Sequence, residues 1–228
     1  MKKASDKLIV ALDVDTLEEA KKLVKTLGSC VTIYKVGSHL FTACGPKAVE
    51  FLISEGKKVF LDLKFHDIPN TVANAVKSAA GLNIFMLTIH TQGGEEMMKA
   101  AAEAAQKAGT KRPLILGITV LTSESKGNIP QLVLERAQFA KKCGLDGVVA
   151  SSQEARMISE KLGKDFMIVT PGIRLQGAAA GDQKRVSTPF EAVSNGSHFL
   201  VVGRPIIEAA NPAAATDQIL KEIENIQS

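Results

Sequence analysis

The stretch KVFLDLKFHD, residues 58–67, opens as an apolar β-strand and ends in a cluster of charged side chains. Alternation along a strand would place Phe60, Asp62 and Lys64 on one face. Ionisable groups at the carboxyl end of a buried strand are typical of parallel α/β folds, because functional sites lie at that edge of the sheet. The stretch therefore predicts a parallel α/β fold with a polar site after this strand.

The rest of the chain repeats this pattern, because short apolar runs alternate with segments of helical periodicity. Eight such units in 228 residues predict an α/β fold, a single-domain (β/α)8 TIM barrel that spans residues 1–228. A doubly wound open sheet shares the alternation and remains an alternative. Strands are predicted at 8–14, 32–36, 58–64, 85–90, 114–120, 147–150, 166–170 and 199–202, and helices at about 16–28, 46–55, 69–80, 94–108, 130–143, 153–162, 189–195 and 213–226.

The first predicted helix carries signals at both of its ends. Asp15 and Glu18 are predicted to form a capping box, which would satisfy amide groups that lack a partner inside the helix. Gly28 follows the last apolar residue of the helical stripe and predicts the end of the helix.

The composition excludes several classes of protein. The net charge of +4 comes from dispersed Lys and Arg residues, Trp is absent and Tyr34 is the only tyrosine, so no nucleic-acid partner is predicted. No apolar run approaches the roughly 20 residues of a membrane span, and no signal-peptide pattern is present. The three cysteines lack both a disulfide pattern and zinc-type spacing. We therefore expect a cytoplasmic protein, without a membrane partner, that binds a small phosphorylated molecule.

Charged residues also end the first two predicted strands. If their faces point into the barrel, Asp13, Lys35, Asp62 and Lys64 meet at one mouth, with Asp67 in the following loop. Alternating signs let these groups stay charged, since opposite charges near 4 Å attract by on the order of 4 kcal/mol at an effective dielectric of about 20. Solvated strand-end charges, or an ion pair that only shapes the loops, remain the alternative.

The ends of the last two strands carry signals for phosphate binding. After strand eight, Gly203 permits close backbone approach, Arg204 can bind a phosphate through two hydrogen bonds, and Pro205 can start a short helical turn. Strand seven leads to Arg174 and then to a long polar stretch, residues 175–188. We predict that this stretch is a mobile lid over an anionic ligand, with a surface loop as the alternative.

No metal and no cofactor are predicted. The four histidines show neither zinc-type spacing nor an evident Ser or Cys partner. Asp62 and Asp67 could hold Mg²⁺, but Lys64 between them already supplies positive charge.

These residues resemble a known family of enzymes. The run DLKFHDIPNT, residues 62–71, is similar to the signature of the orotidine 5'-monophosphate decarboxylase family. The Asp-x-Lys-x-x-Asp core is shared with sugar-phosphate relatives, such as keto-gulonate phosphate decarboxylases and hexulose phosphate synthases, whereas the DIPNT and PGIR elements separate the two groups. The resemblance covers nearly the whole chain in the expected order, through ALD at 11–13, YKVG at 34–37, TVLTS at 119–123, PGIR at 171–174 and VGRPI at 202–206.

The resemblance implies a homodimer of TIM barrels that converts orotidine 5'-phosphate to uridine 5'-phosphate and carbon dioxide. This cofactor-independent decarboxylation is the last step of de novo pyrimidine (UMP) synthesis. Lys64 would protonate the pyrimidine carbon that loses its carboxylate, and Asp62 would lie against that carboxylate. Lys35 would complete a charge network with Asp62, Lys64 and Asp67, and would also face the ribose.

The same resemblance implies a set of substrate-binding residues. Asp13 would bind the ribose hydroxyls, and Thr122 would contact the pyrimidine. Asp67 and Thr71 would reach across the dimer interface into the neighbouring site, and Ile68 would be a further binding residue. The phosphate would be held by Arg174, Gln183, Gly203 and Arg204, with Gln183 delivered by the lid.

Two other functions stay open at this point. The first is a sugar-phosphate decarboxylase or an aldolase of the same superfamily. An aldolase lysine that forms a Schiff base must react as the neutral amine, whereas Lys64 lies between carboxylates that stabilise its ammonium form. The second is a barrel that binds a phosphorylated ligand without turnover, and the intact set of charges argues against it.

Overall fold

The computed structural model describes residues 3–121, 128–175 and 185–225. Within these ranges eight parallel strands close into a barrel in the order of the sequence, and the last strand pairs with the first. The closure excludes an open sheet and confirms the predicted (β/α)8 TIM barrel. The strands are β1 (Leu8–Ala11), β2 (Ile33–Gly37), β3 (Lys58–Phe65), β4 (Met86–His90), β5 (Leu114–Ile118), β6 (Gly147–Val149), β7 (Met167–Thr170) and β8 (Phe199–Val202).

Helices pack around the barrel and include all eight predicted from the sequence. The turn predicted at Pro205 is also present as α9, whereas α2 was not predicted, because its seven residues lie between two stronger signals. In the described ranges, no helix combines the length and the apolar character of a membrane span. The helices are α1 (Leu17–Leu27), α2 (Ser38–Cys44), α3 (Lys47–Ser54), α4 (Pro69–Ala80), α5 (Gly94–Gln106), α6 (Ile129–Lys142), α7 (Ser152–Leu162), α8 (Pro189–Ser194), α9 (Arg204–Ile207) and α10 (Pro212–Glu224).

The predicted alternation along the strands divides the buried residues into two layers. Ile9, Ile33 and Phe60 belong to an inner cluster that fills the barrel, whereas their chain neighbours Val10 and Tyr34 belong to the larger cluster between strands and helices. The inner cluster closes the barrel below its carboxyl end, so the positions above it face a cavity rather than the core.

The start of α1 differs by one residue from the prediction. Thr16 and Glu19 form the capping box, not Asp15 and Glu18: the Thr16 hydroxyl accepts a hydrogen bond from the Glu19 amide, and the Glu19 carboxylate accepts one from the Thr16 amide. Both pairs have the same spacing, so the choice depends on which residue is the last with an extended backbone. That residue is Thr16, with φ −132° and ψ 155°.

Candidate active site

A cavity of about 310 Å³ opens at the carboxyl end of the barrel. Charged side chains from β2, from β3 and from the segment after β1 line it, together with two arginines from the segments after β7 and β8. Apolar side chains complete the lining. Its lining comprises Ala11, Asp13, Lys35, Phe60, Asp62, Lys64, Ile118, Val120, Leu121, Val149, Pro171, Gly172, Arg174, Val201, Gly203 and Arg204.

The four charged residues predicted to converge form a continuous chain of ion pairs. Lys35 Nζ lies 2.9 Å from Asp13 Oδ1 and 3.9 Å from Asp62 Oδ2. Lys64 Nζ lies 2.9 Å from the same Asp62 Oδ2. One buried carboxylate oxygen therefore faces two ammonium groups, and the predicted convergence of Asp13, Lys35, Asp62 and Lys64 is confirmed.

The space around Lys35 depends on a small neighbour. A side-chain Cβ at Gly37 would lie 2.9 Å from Lys35 Nζ and 3.5 Å from Asp13 Oδ1. Any other residue at this position would push the ammonium group away from Asp13. Gly37 thereby helps to keep Lys35 in the chain of ion pairs.

Lys64 reaches the cavity through an irregular backbone. The pairing of β3 with β4 shifts between Leu61 and Phe65, and Lys64 has a φ of 52°, in the left-handed region. A residue other than glycine in such a conformation costs about 1–3 kcal/mol, so the surrounding contacts must hold it. The prediction that Lys64 shares a cavity with Asp62 is right, but strand alternation alone does not produce it.

A buried hydroxyl supports this irregular segment. Thr88 on β4 is fully buried, and its Oγ1 accepts a hydrogen bond from the Lys64 amide at 2.9 Å. The same hydroxyl donates to Asp62 Oδ1, also at 2.9 Å. Sequence reasoning missed this residue, because a threonine within an apolar strand is typical of β-structure and gives no sign of its distant partners.

Arg174 and Arg204 bring two further positive charges to the lining of the cavity. Burial of its guanidinium and the charge of Arg204 lower the pKa of Arg174 from its ordinary value, and Glu208 opposes this effect. Like charges held together at the mouth of a barrel favour binding of an anion such as a phosphate. Gly203 lines the same cavity, and its role in phosphate binding stays a prediction.

Asp67 lies outside the chain of ion pairs. In the described part of the chain it forms no ion pair, and its Oδ1 accepts a hydrogen bond from the neighbouring Ile68 amide at 2.6 Å. Thr71 is exposed on α4, and Ile68 is 66% exposed, a high value for a large apolar side chain. The structure therefore does not bring Asp67, Ile68 or Thr71 into the cavity of their own chain.

Two predicted binding residues, Thr122 and Gln183, lie outside the described residues, as does most of the predicted lid. Arg185 contacts Leu121, so it links the described residues that border the two segments. The sequence analysis placed Arg185 in the predicted lid and gave it no separate role. Arg185 donates to the Leu121 carbonyl at 3.2 Å and pairs at 2.8 Å with Glu154, a carboxylate that is 2% exposed. The hydroxyl of Ser151 donates to the other oxygen of Glu154.

The described ranges contain no group of three or more His, Cys, Asp or Glu side chains arranged to hold a metal ion. Cationic side chains occupy the positions between the carboxylates, as Lys35 does between Asp13 and Asp62.

Comparisons with known proteins agree with this site. Residues 6–219 match the model of the orotidine 5'-phosphate decarboxylase / HUMPS family. The chain is 46% identical over 222 residues to orotidine 5'-phosphate decarboxylase of Vibrio cholerae serotype O1, covering 93% of this chain and 96% of that protein. It is 47% identical over 229 residues to the enzyme of the same name from Pseudoalteromonas translucida, covering 96% and 98% of the two chains.

A solved structure extends the agreement to three dimensions. The crystal structure of orotidine 5'-phosphate decarboxylase from Lactobacillus acidophilus superimposes with a TM-score of 0.84 at 39% identity, covering 96% of this chain and 99% of that one. Sequence and fold therefore agree over nearly the full length. The chain belongs to the orotidine 5'-phosphate decarboxylase / HUMPS family.

Proposed function

We propose that this chain decarboxylates orotidine 5'-phosphate to uridine 5'-phosphate, the last step of de novo pyrimidine synthesis. The observation that carries the proposal is the oxygen of Asp62 that faces both Lys35 and Lys64 in a cavity that Arg174 and Arg204 also line. The family membership of the chain supports the same reaction.

The chemistry of the reaction explains why such a site is needed. When the bond between the ring carbon and its carboxylate breaks, the electron pair stays on that carbon and carbon dioxide leaves. Without a cofactor, the enzyme must stabilise the localised carbanion electrostatically or protonate it as it forms. In the proposal Lys64 does both, because its ammonium group supplies the positive charge and then transfers a proton to the carbon.

Asp62 acts on the other partner of the breaking bond. Its side chain is 13% exposed and forms the cavity wall beside Lys64. A substrate carboxylate bound against it meets a like charge, and this repulsion is relieved when neutral carbon dioxide departs. Lys35, between Asp13 and Asp62, fixes the array, and Asp13 binds the ribose hydroxyls.

The phosphate provides binding energy far from the reacting carbon. Arg174 and Arg204 hold it, with Gly203 at their side and Gln183 contributed by the segment after β7. Interactions with a remote group can be used to orient the reacting part of the substrate and to exclude water. Thr122, after β5, contacts the pyrimidine in the same proposal.

A homodimer completes the site in this proposal. Asp67 and Thr71 of one chain reach the cavity of its partner, and Ile68 packs beside them at the interface. Two features support this arrangement: Asp67 has no ion pair within the described part of its own chain, and Ile68 exposes 66% of its surface next to it. Mixing Lys64→Ala and Asp67→Ala dimers should then recover about a quarter of wild-type activity, because half of the dimers are mixed and each has one intact site.

The proposal also includes a cytoplasmic location and a single domain. All three cysteines are free thiols, including the exposed Cys30, which suits a reducing compartment.

The test follows the ultraviolet absorbance of orotidine 5'-phosphate with purified, metal-stripped protein. Wild-type protein should turn the substrate over, and Lys64→Ala should lower kcat/KM by at least about 10³-fold, because it removes both the proton donor and the nearest positive charge. Lys22→Ala, at an exposed position on α1, is the matched control and should leave kcat/KM unchanged.

Two outcomes would contradict the assignment. One is a wild-type protein that leaves the substrate unchanged, and the other is undiminished turnover by Lys64→Ala. Trapping of a ketose phosphate on Lys64 by borohydride would instead favour the aldolase alternative.

A further inference from the structure

Thr88 connects the two residues that the proposed reaction depends on most. It lies on β4 two residues after Met86, a member of the inner cluster, so its side chain also points into the barrel. Its hydroxyl accepts the Lys64 amide hydrogen and donates its own hydrogen to Asp62 Oδ1, each at 2.9 Å. The single hydroxyl thus uses both its acceptor and its donor capacity on two residues of β3 that are two positions apart.

The contact with Lys64 lies where the pairing of β3 with β4 is irregular. Leu61 and Phe65 are four positions apart on β3, whereas their partners Leu87 and Ile89 on β4 are two positions apart. The extra length bulges out of the pairing, and Lys64 adopts its left-handed φ of 52° there. A hydroxyl that receives the Lys64 amide stabilises this conformation, since a buried amide without a partner is unfavourable.

The contact with Asp62 fixes the orientation of its carboxylate. Oδ1 faces Thr88, and Oδ2 consequently faces Lys64 Nζ at 2.9 Å and Lys35 Nζ at 3.9 Å. Without the hydroxyl, the carboxylate could rotate toward either lysine. The backbone of Lys64 would lose its support in the same change.

We infer that Thr88 is a positioning residue, which holds the Lys64 ammonium group and the Asp62 carboxylate in the geometry that decarboxylation requires. It is fully buried and acts through these two side chains rather than on the substrate. The inference rests on the proposed function. Positioning errors of about 1 Å at a reacting group can cost on the order of 100-fold in rate, so the hydroxyl is expected to affect kcat.

The test compares Thr88→Val, which removes the hydroxyl but keeps the shape, with Thr88→Ser, which keeps the hydroxyl. We expect Thr88→Val to lower kcat for orotidine 5'-phosphate by about 30- to 100-fold with KM within about threefold of wild type. Thr88→Ser should retain kcat within about threefold of wild type, since it preserves both hydrogen bonds.

Thr170→Val is the matched control, because Thr170 is equally buried on β7 and, within the described ranges, its hydroxyl forms a hydrogen bond with the Ser197 hydroxyl at 2.7 Å and with neither charged residue of the site. It should change the melting temperature and not kcat. If Thr88→Val does not fold, Thr88→Ala is measured in its place.

Three outcomes overturn the inference. They are a hydroxyl-free variant with kcat within threefold of wild type, a Thr88→Ser variant as slow as Thr88→Val, and failure of both hydroxyl-free variants to fold while Thr170→Val folds. The last outcome would assign the hydroxyl to stability alone. Wild-type protein without turnover would instead contradict the proposed function itself.

Discussion

The two ends of the barrel use the same kinds of charged residue in different ways. At the amino end, before β5 and β6, Arg112 binds both oxygens of Asp146 at 3.0 and 2.6 Å, and the Ile115 amide adds a third hydrogen bond to that carboxylate. At the carboxyl end, Lys35 and Lys64 approach one oxygen of Asp62 and border a cavity.

The comparison assigns the charged residues of the amino end to stability and those of the carboxyl end to function. A carboxylate that meets a guanidinium through two parallel bonds has its charge and its hydrogen-bonding capacity satisfied within the protein. The carboxyl end instead places two ammonium groups and two guanidinium groups in the lining of a cavity. Changes at the amino end should therefore alter unfolding, and changes at the carboxyl end should alter catalysis.

Lys35→Met is expected to have the largest effect in this comparison, and it tests the carboxyl end. It leaves Asp13 and Asp62 without the cation between them, so we expect kcat/KM to fall by about 10³-fold. Lys58→Met, at the exposed start of β3, is the control and should keep wild-type kinetics in the same ultraviolet assay. An active Lys35→Met variant would show that the chain of ion pairs is not part of the machinery.

Arg204→Gln tests the two arginines that line the cavity. Loss of one charge-assisted contact to phosphate should lower kcat/KM by about 10- to 100-fold. At about 100 times its Kd, uridine 5'-phosphate should stabilise the wild-type protein by roughly 2.7 kcal/mol, or about 5 to 10 °C in Tm. At the same ligand concentration, thermal shift measurements should show a much smaller increase for the variant. An equal increase would place the phosphate elsewhere.

Arg112→Met tests the amino end. It should lower stability by on the order of 2 kcal/mol, or roughly 4 to 8 °C in Tm, and leave kcat/KM unchanged. Lys99→Met, which breaks the exposed pair with Glu95 on α5, should change Tm by less than about 1 °C. Calorimetry measures the change in Tm, and the ultraviolet assay measures kcat/KM. A loss of kcat/KM in Arg112→Met would show that the amino end also contributes to catalysis.

A substitution of Glu222, on the outer helix α10, is expected to have the smallest effect on Tm, and that effect should depend on pH. Burial, together with nearby Glu191, raises the pKa of Glu222 in the folded protein. Because the folded state then holds the proton more tightly than the unfolded state, stability falls as the pH rises through the unfolded pKa toward the folded one.

Glu222→Gln should therefore raise Tm by roughly 1 to 2 °C at pH 7 and make no difference at low pH, where the wild-type carboxyl is protonated. Glu224→Gln, an exposed position of the same helix, is the control for scanning calorimetry. A Tm gain that persists in acid would point to packing instead of ionisation.

Much of the fold could be predicted because its signals are local. Each of the eight strands is an apolar run, and period-two alternation correctly predicted that Lys35 in β2, Asp62 in β3 and Asp13, two residues after the end of β1, lie together. The capping box was placed one residue early, because Asp15 and Thr16 are both good N-cap residues and have acidic partners at the same spacing.

The details of the site could not be predicted because they depend on partners distant in sequence. The Thr88 hydroxyl forms hydrogen bonds with residues 24 and 26 positions earlier in the chain. The sequence around Thr88 contains no signal that predicts these partners. The left-handed conformation of Lys64 occurs where the pairing register between β3 and β4 shifts. A prediction from strand alternation assumes regular strands and therefore misses it. Arg185 likewise has no local signal for its contact with Leu121, which is 64 positions away.

Arg185 sets a rule for exchanging parts between homologous enzymes. Leu121 immediately precedes segment 122–127, and Arg185 immediately follows segment 176–184, so one side chain ties the edges of both. A chimera that imports 176–184 together with a different residue at 185 would lose the hydrogen bond to the Leu121 carbonyl and the ion pair with Glu154. Arg185 and its partners Leu121 and Glu154 should therefore be exchanged together when parts are moved between homologous enzymes.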